Sequence, residues 1–277
     1  MRVDGEVMTA SSKSHGYAAV NGLKMYYEIE GAGEPLVYIP PAFGQAGTKS
    51  FPELTGRYSV ITPDLQGHGR TADIPQRALS IEQHADDVVA LLQHLGIATA
   101  DFFGESYGGA VATLIAVRHP ALVGRIATYG ATFGSATKSV DPQMLRFQQP
   151  PTADSTSFLF QREIYRKVAP DPEYWPTFWA RVVSLNWEGF SPEELASIKA
   201  PLLIILGDHD FVRLEHAVQT FRRVPGAELA VIPDAGHFAL FSEPERVIPV
   251  VRHFLEKPLP RIPIGTGESG FQPGTTR

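Results

Sequence analysis

Residues 202–206 read Leu-Leu-Ile-Ile-Leu, five aliphatic side chains in a row with no polar residue among them. A strand with one face in water alternates apolar with polar, so a short unbroken run of this kind fits a strand covered on both faces. The need for cover on two sides is the tightest constraint the chain contains. Other short apolar runs share it: LVYI (36–39) stopped by Pro40-Pro41, YSVIT (58–62), Asp101–Gly104, Arg125–Tyr129 and LAVI (229–232). Between them lie segments of helical period, at 80–96, Tyr107–His119, Leu214–Arg223 and Glu243–Leu255. Strands alternating with helices of this length predict an α/β chain, with a mostly parallel central sheet flanked by helices on both faces. At the start, Tyr17–Val20 and Leu23–Ile29 flank Asn21-Gly22, the dipeptide that favours a tight hairpin. Ser80 with Gln83 three residues on predicts a capping box at the head of the 80–96 helix, whose His84 and His94 read as solvated among polar neighbours.

Residues 1–16 and 257–277 are polar or rich in Pro and Gly, and are expected to be flexible tails. The core then divides into 17–132 and 199–256, separated by a stretch that breaks the rhythm. Residues 133–198 hold no convincing buried strand but do hold helix-like pieces at 157–169 and 177–185. The span 133–190 carries 11 of the 28 aromatic residues, including all three tryptophans. An aromatic-rich, all-helical insertion between two sheet strands is expected to lie over the sheet as a cap.

Composition narrows the function. The absence of cysteine excludes disulfides, thiolate metal sites and a cysteine nucleophile. A net charge of −6 without any Lys/Arg block argues against a nucleic-acid partner. No apolar run reaches the roughly 18 residues of a membrane span. Asp4 and Glu6 stand where a signal peptide needs an apolar stretch, so a cytoplasmic location is expected. A homodimer is left open.

The chemistry centres on Gly104-Glu105-Ser106-Tyr107-Gly108, a G-x-S-x-G between a strand pattern and a helix pattern. A strand-to-helix turn this sharp strains the middle residue, and the glycines remove side chains that would clash. Ser106 would present its hydroxyl at a helix N-terminus, where partial positive charge favours a developing oxyanion. A serine needs a base. Of nine histidines, His237 sits in a loop just after the strand 229–232, on the same sheet edge as Ser106. The partner of His237 is Asp208 or Asp210, both after the buried run 202–206. Glu105 reads either as a charge that tunes water or, preferably, as a buried carboxylate hydrogen-bonded within the elbow.

With these motifs the chain resembles the α/β-hydrolase superfamily, over about residues 17–256. Asp64-Leu65-Gln66-Gly67-His68-Gly69-Arg70-Thr71 is similar to the family's D-x-x-G-x-G-x-S loop. Its G-x-G-x-x-A does not open a helix, so a nucleotide site is not expected. The resemblance implies the α/β-hydrolase fold and maps the acid, the fourth residue of G-x-x-D, onto Asp210. The alternative position, in 128–136, has no carboxylate. It also implies an oxyanion hole from the backbone N–H groups of Ala42 and Tyr107, with Phe43 as a one-residue alternative. Here the chain departs from the family, since Pro40-Pro41 replaces the His-Gly pair of its relatives.

The expected function is a serine hydrolase of a carboxylic ester or lactone, with Ser106 as nucleophile, His237 as base and Asp210 orienting the ring. No cofactor and no metal is implied; His209, Asp210 and His216 lack a zinc motif. Phe43, Phe133, Trp175, Phe178, Trp179, Trp187 and Phe238 are the expected pocket, suited to an apolar or aryl-bearing substrate of small to medium size with no membrane involvement. Two alternatives stand beside this. One is cleavage of a carbon–carbon bond, or perhydrolysis, by the same triad. The other is a ligand-binding receptor, against which the presence of all three triad residues counts.

Overall fold

The structure is a computed structural model that describes residues 12–145 and 155–258. Eight strands form one sheet: β1 (Lys13–Val20), β2 (Leu23–Gly31), β3 (Glu34–Ile39), β4 (Tyr58–Pro63), β5 (Ala100–Glu105), β6 (Val123–Tyr129), β7 (Leu202–Gly207) and β8 (Glu228–Ile232). Their spatial order is β1-β2-β4-β3-β5-β6-β7-β8. Neighbours from β4 to β8 run parallel, and β2 is antiparallel to both β1 and β4. The longer helices are α1 (Ile81–His94), α2 (Tyr107–Arg118), α3 (Thr156–Arg166), α4 (Trp175–Val183), α5 (Pro192–Ser197), α6 (Leu214–Arg223) and α7 (Pro244–Glu256). Among the described residues, no helix is long and apolar enough to cross a membrane.

The aliphatic run of β7 divides between two cores. Leu202, Ile204 and Leu206 pack with α1 and α2 on one face, while Leu203 and Ile205 pack with α7 on the other. Phe102 and Phe103 of β5 split the same way. Alternation along a strand thus loads both faces with apolar side chains. At the hairpin, Asn21 and Gly22 both take positive φ, 48° and 78°, as a two-residue turn matched to strand twist requires.

Three expectations need correction. Pairing of β1 begins at Lys13, opposite Glu30, so residues 13–16 belong to the sheet and not to a tail. An edge strand can carry polar residues, and Lys13 is paired with Glu28 at 3.0 Å. The remainder of the two tails, 1–11 and 259–277, lies outside the described residues. Secondly, the capping box is half made. The Ser80 hydroxyl accepts from Gln83 N–H at 3.1 Å, but the Gln83 side chain donates to Asp87 instead of returning to the cap. Thirdly, His84 is fully buried, while His94 is exposed as expected. Counted by helical face, His84 falls in line with Ile81 and Val88 on the apolar side, whatever its sequence neighbours are.

Between β6 and β7 the chain leaves the sheet. Gly134 and Gly189 pair in an isolated bridge so close that a Cβ on Gly189 would lie 2.2 Å from the Gly134 Cα. Beyond this crossing, α3 and α4 pack Phe158, Tyr165, Trp175, Phe178, Trp179 and Val182 into a separate cluster. Asp73 ties that cluster to the core: it accepts from the Tyr174 hydroxyl at 2.8 Å and pairs with Arg181. Helix α5 carries both halves of a Ser191/Glu194 capping box, and its Leu195 packs with the core.

Candidate active site

The strands β3, β5, β6, β7 and β8 all end at one edge, where loops in an open α/β sheet gather their functional groups. Ser106 stands between β5 and α2 with φ 51° and ψ −116°, a strained geometry for a residue with a Cβ. The residues two before and two after it must be glycine. A Cβ on Gly104 would come within 2.5 Å of Gly108 O, and one on Gly108 within 2.1 Å of Ile39 O. Ser106 Oγ lies 3.0 Å from His237 Nε2. His237 Nδ1 lies 2.9 Å from Asp210 Oδ1, which also accepts from Val212 N–H at 2.9 Å. The Asp210 side chain is fully buried, and Asp208 is directed elsewhere, accepting from Ala235 N–H at 3.2 Å. Asp210 is therefore the carboxylate that meets the imidazole.

The N–H groups of Tyr107, next to Ser106, and of Ala42, in the loop after β3, find no protein acceptor among the described residues. Ala42 lies in a turn closed by Gly44 N–H donating to Pro41 O at 2.8 Å, with Phe43 at φ 64°. The Phe43 ring stacks on Trp179, 4.4 Å apart and 12° from parallel, which helps offset the backbone strain. The Asp64 carboxylate braces the same loop, accepting from Ala46 N–H at 2.6 Å and Arg70 N–H at 2.7 Å. Burial pushes the Asp64 carboxyl up to about 7 against these hydrogen bonds.

The expected pocket aromatics separate. Phe43, Trp175, Phe178 and Trp179 come together where the cap meets the Ala42 turn. Phe133 and Trp187 do not join them. Phe133 donates its N–H to His216 Nε2 at 3.0 Å and packs in the α1/α2 core, with Trp187 and Phe190 beside it. The Gly134–Gly189 crossing holds both residues at the base of the insertion, away from its helices. Phe238 is 67% exposed, with its ring edge-on to His237.

Several neighbours of the site escaped sequence reasoning. Phe211 lies over the imidazole with ring centroids 3.8 Å apart. Gly130 directly follows β6 at φ 60°, and a Cβ there would stand 2.8 Å from His237 Nδ1 and 3.0 Å from Asp210 Oδ2. The Tyr129 hydroxyl donates to Gly236 O at 2.6 Å, holding the loop of His237. Glu105 is buried and hydrogen-bonded, but its partners come from outside the elbow: the Tyr38 hydroxyl at 2.5 Å and Lys49. Burial draws the Lys49 ammonium below its ordinary range, with Glu105 opposing. Of these, only Phe211 and Tyr129 carried a signal, through adjacency to Asp210 and to a strand end. Among the described residues, no group of three or more His, Asp or Glu could hold a metal ion.

A model of the alpha/beta hydrolase family matches residues 34–250, from β3 into α7. The chain belongs to the alpha/beta hydrolase family. The match spans Ala42, Ser106, Asp210 and His237, so every residue assembled above lies within the family region. Pyrrolizixenacetamide deacetylase of Xenorhabdus hominickii is 28% identical over 258 residues, covering 85% of this chain and 96% of that one. Among solved structures, 2-hydroxy-6-oxo-6-phenylhexa-2,4-dienoate hydrolase from Rhodococcus sp. strain RHA1 has a TM-score of 0.73 at 20% identity, over 90% of this chain and 100% of its own. The enol-lactonase of Burkholderia xenovorans LB400 has a TM-score of 0.67 at 23% identity, over 87% and 100%. At such identities the two structures share the fold with this hydrolase-family chain, and the substrate is a separate question.

Proposed function

We propose that the chain is a serine hydrolase that opens a carboxylic ester or lactone through an acyl-enzyme on Ser106. The observation that carries this reading is the continuous relay from Ser106 Oγ to His237 to Asp210, at 3.0 and 2.9 Å. His237 takes the hydroxyl proton as Ser106 attacks the carbonyl, and Asp210 holds the proton of Nδ1 and stabilises the imidazolium. The Ala42 and Tyr107 N–H groups receive the oxyanion. The proton on Nε2 passes to the leaving alcohol, and water then attacks the acyl-enzyme with His237 again as base.

The aromatic wall of Phe43, Trp175, Phe178 and Trp179 supports an apolar or aryl-bearing substrate. A relative named for deacetylation and a neighbour named an enol-lactonase both accord with acyl transfer to water. The test is a panel of p-nitrophenyl esters, lactones and ring-fission dienones, run beside labelling with a serine-directed phosphonate. Turnover of esters or lactones, lost in Ser106→Ala together with the label, is the expected result. Activity confined to dienones would replace ester hydrolysis by carbon–carbon cleavage, and no label on Ser106 would end the serine mechanism.

A further inference from the structure

Two buried histidines, one of them bonded to Tyr107, have ring nitrogens the proposed hydrolysis does not use. His68, in the loop after β4, is 2% exposed, and its Nδ1 lies 2.9 Å from Gln66 O. A carbonyl can only accept, so Nδ1 holds the proton and Nε2 is a bare acceptor. His84 is 0% exposed, with Nδ1 2.8 Å from the Tyr107 hydroxyl. That hydroxyl has no other acceptor among the described residues, so it donates to Nδ1 and leaves the imidazole proton on Nε2. Burial lowers both imidazoles below their ordinary range, His68 to about 4, which keeps them neutral. Both Nε2 atoms are buried with no protein partner.

An unmet acceptor and an unmet donor therefore stand on rings whose centroids are 5.8 Å apart. Leaving such atoms unsatisfied is costly, and few native groups are left so. Their surroundings tie them to the substrate side. His84 holds Tyr107, which carries one oxyanion N–H, and the His68 ring lies 4.9 Å from Phe178. Phe178 in turn contacts Phe43, next to Ala42. Trp175 Nε1 and Trp179 Nε1, on the same wall, are also buried without a partner among the described residues. A carboxylate or ketone cannot donate to His68, and an ammonium cannot accept from His84. A hydroxyl does both.

From this we infer that His68 and His84 form a polar subsite that reads a hydroxyl on the substrate, so the preferred ester or lactone carries an alcohol or phenol group. The inference rests on the serine-hydrolase reading and adds a substrate class to it. The test uses the full chain and three matched sets of phenyl esters: butanoate against its 2-hydroxy and 3-hydroxy forms, and phenylacetate against 4-hydroxyphenylacetate. At least one hydroxylated ester should exceed its deoxy partner about tenfold in kcat/KM. That ratio should fall toward one in His68→Leu and be partly kept in His68→Gln, whose amide oxygen replaces Nε2. Equal rates in every set, or a ratio that His68→Leu does not move, would overturn the inference and leave the nitrogens to an ordered water. Should His68→Leu fail to fold, the wild-type ratios decide alone. Turnover of the deoxy esters without hydroxyl preference defeats this inference only; no turnover with no phosphonate label on Ser106 defeats the serine-hydrolase reading, and the inference with it.

Discussion

Ser106 carries the clearest trade-off in the molecule. Its φ of 51° and ψ of −116° cost about 1–3 kcal/mol for a side chain with a Cβ. Ser106→Ala keeps that strain and removes the proposed nucleophile, so melting should stay within a few degrees while the proposed ester turnover disappears. Ser106→Gly relieves the strain and should raise stability by about 1 kcal/mol in denaturant unfolding, with equal loss of turnover. Asp210→Asn should lower kcat by up to about 10⁴-fold, because the amide no longer favours the productive tautomer. Asp208→Asn, whose carboxylate meets Ala235 N–H and His209 and not His237, should stay within a few fold. A reversed order in steady-state kinetics would move the acid to Asp208.

Elements are locked to one another by a few buried polar contacts. Glu105 at the end of β5 joins Tyr38 of β3 and Lys49 of the loop after it, and so fastens the Ala42 loop to the elbow. The Lys49 and Glu105 side chains are 12% and 5% exposed, which makes this a buried pair. Lys49→Met leaves the carboxylate without its cation and should cost about 3–5 kcal/mol in urea unfolding. Adding Glu105→Gln should recover much of that loss, since both charges are then gone. Additive losses in the double variant would show that the two side chains are not coupled. Asp73 makes the matching tie between core and cap. Asp73→Asn should raise KM for aryl esters more than it lowers kcat, because it loosens α4 and leaves the Ser106 relay alone.

At the level of the whole molecule, buried histidines set an acid limit. Burial pushes His68 and His216 down to about 4, and His84 well below its ordinary range, from an ordinary value of 6.5. The unfolded chain binds these protons first, so their contribution to stability is complete above pH 6.5 and is lost as pH falls toward 4. Asp64, held up near 7, and Asp101, also raised by burial, work in the opposite sense and offset part of this. Net stability should therefore fall on acidification through this window. His216→Gln keeps an acceptor for Phe133 N–H without a titrating ring, and should reduce the slope by up to about 1.4 kcal/mol per pH unit. Denaturant melts at four pH values would measure it, and an unchanged slope would mean that His216 does not titrate with unfolding.

The sequence by itself determined the local choices. The unbroken run 202–206 required a strand buried on both faces, Asn21-Gly22 required a tight hairpin, and Gly104-x-Ser106-x-Gly108 required a strained turn at a helix head. These are short-range demands of sterics and hydrophobic period, readable within a few residues. Tertiary structure decided the rest, because it depends on which faces meet. His84 changed from a surface residue to a buried partner of Tyr107 once its helix face was set against the sheet. Glu105 found Lys49, 56 positions away in the chain, and Gly130 proved necessary only because His237 and Asp210 converge above it. The aromatic insertion divided in two for the same reason: packing followed the Gly134–Gly189 crossing, which composition could not reveal. Contacts between distant segments are selected by the shape and burial of the assembled sheet, and no local pattern encodes them.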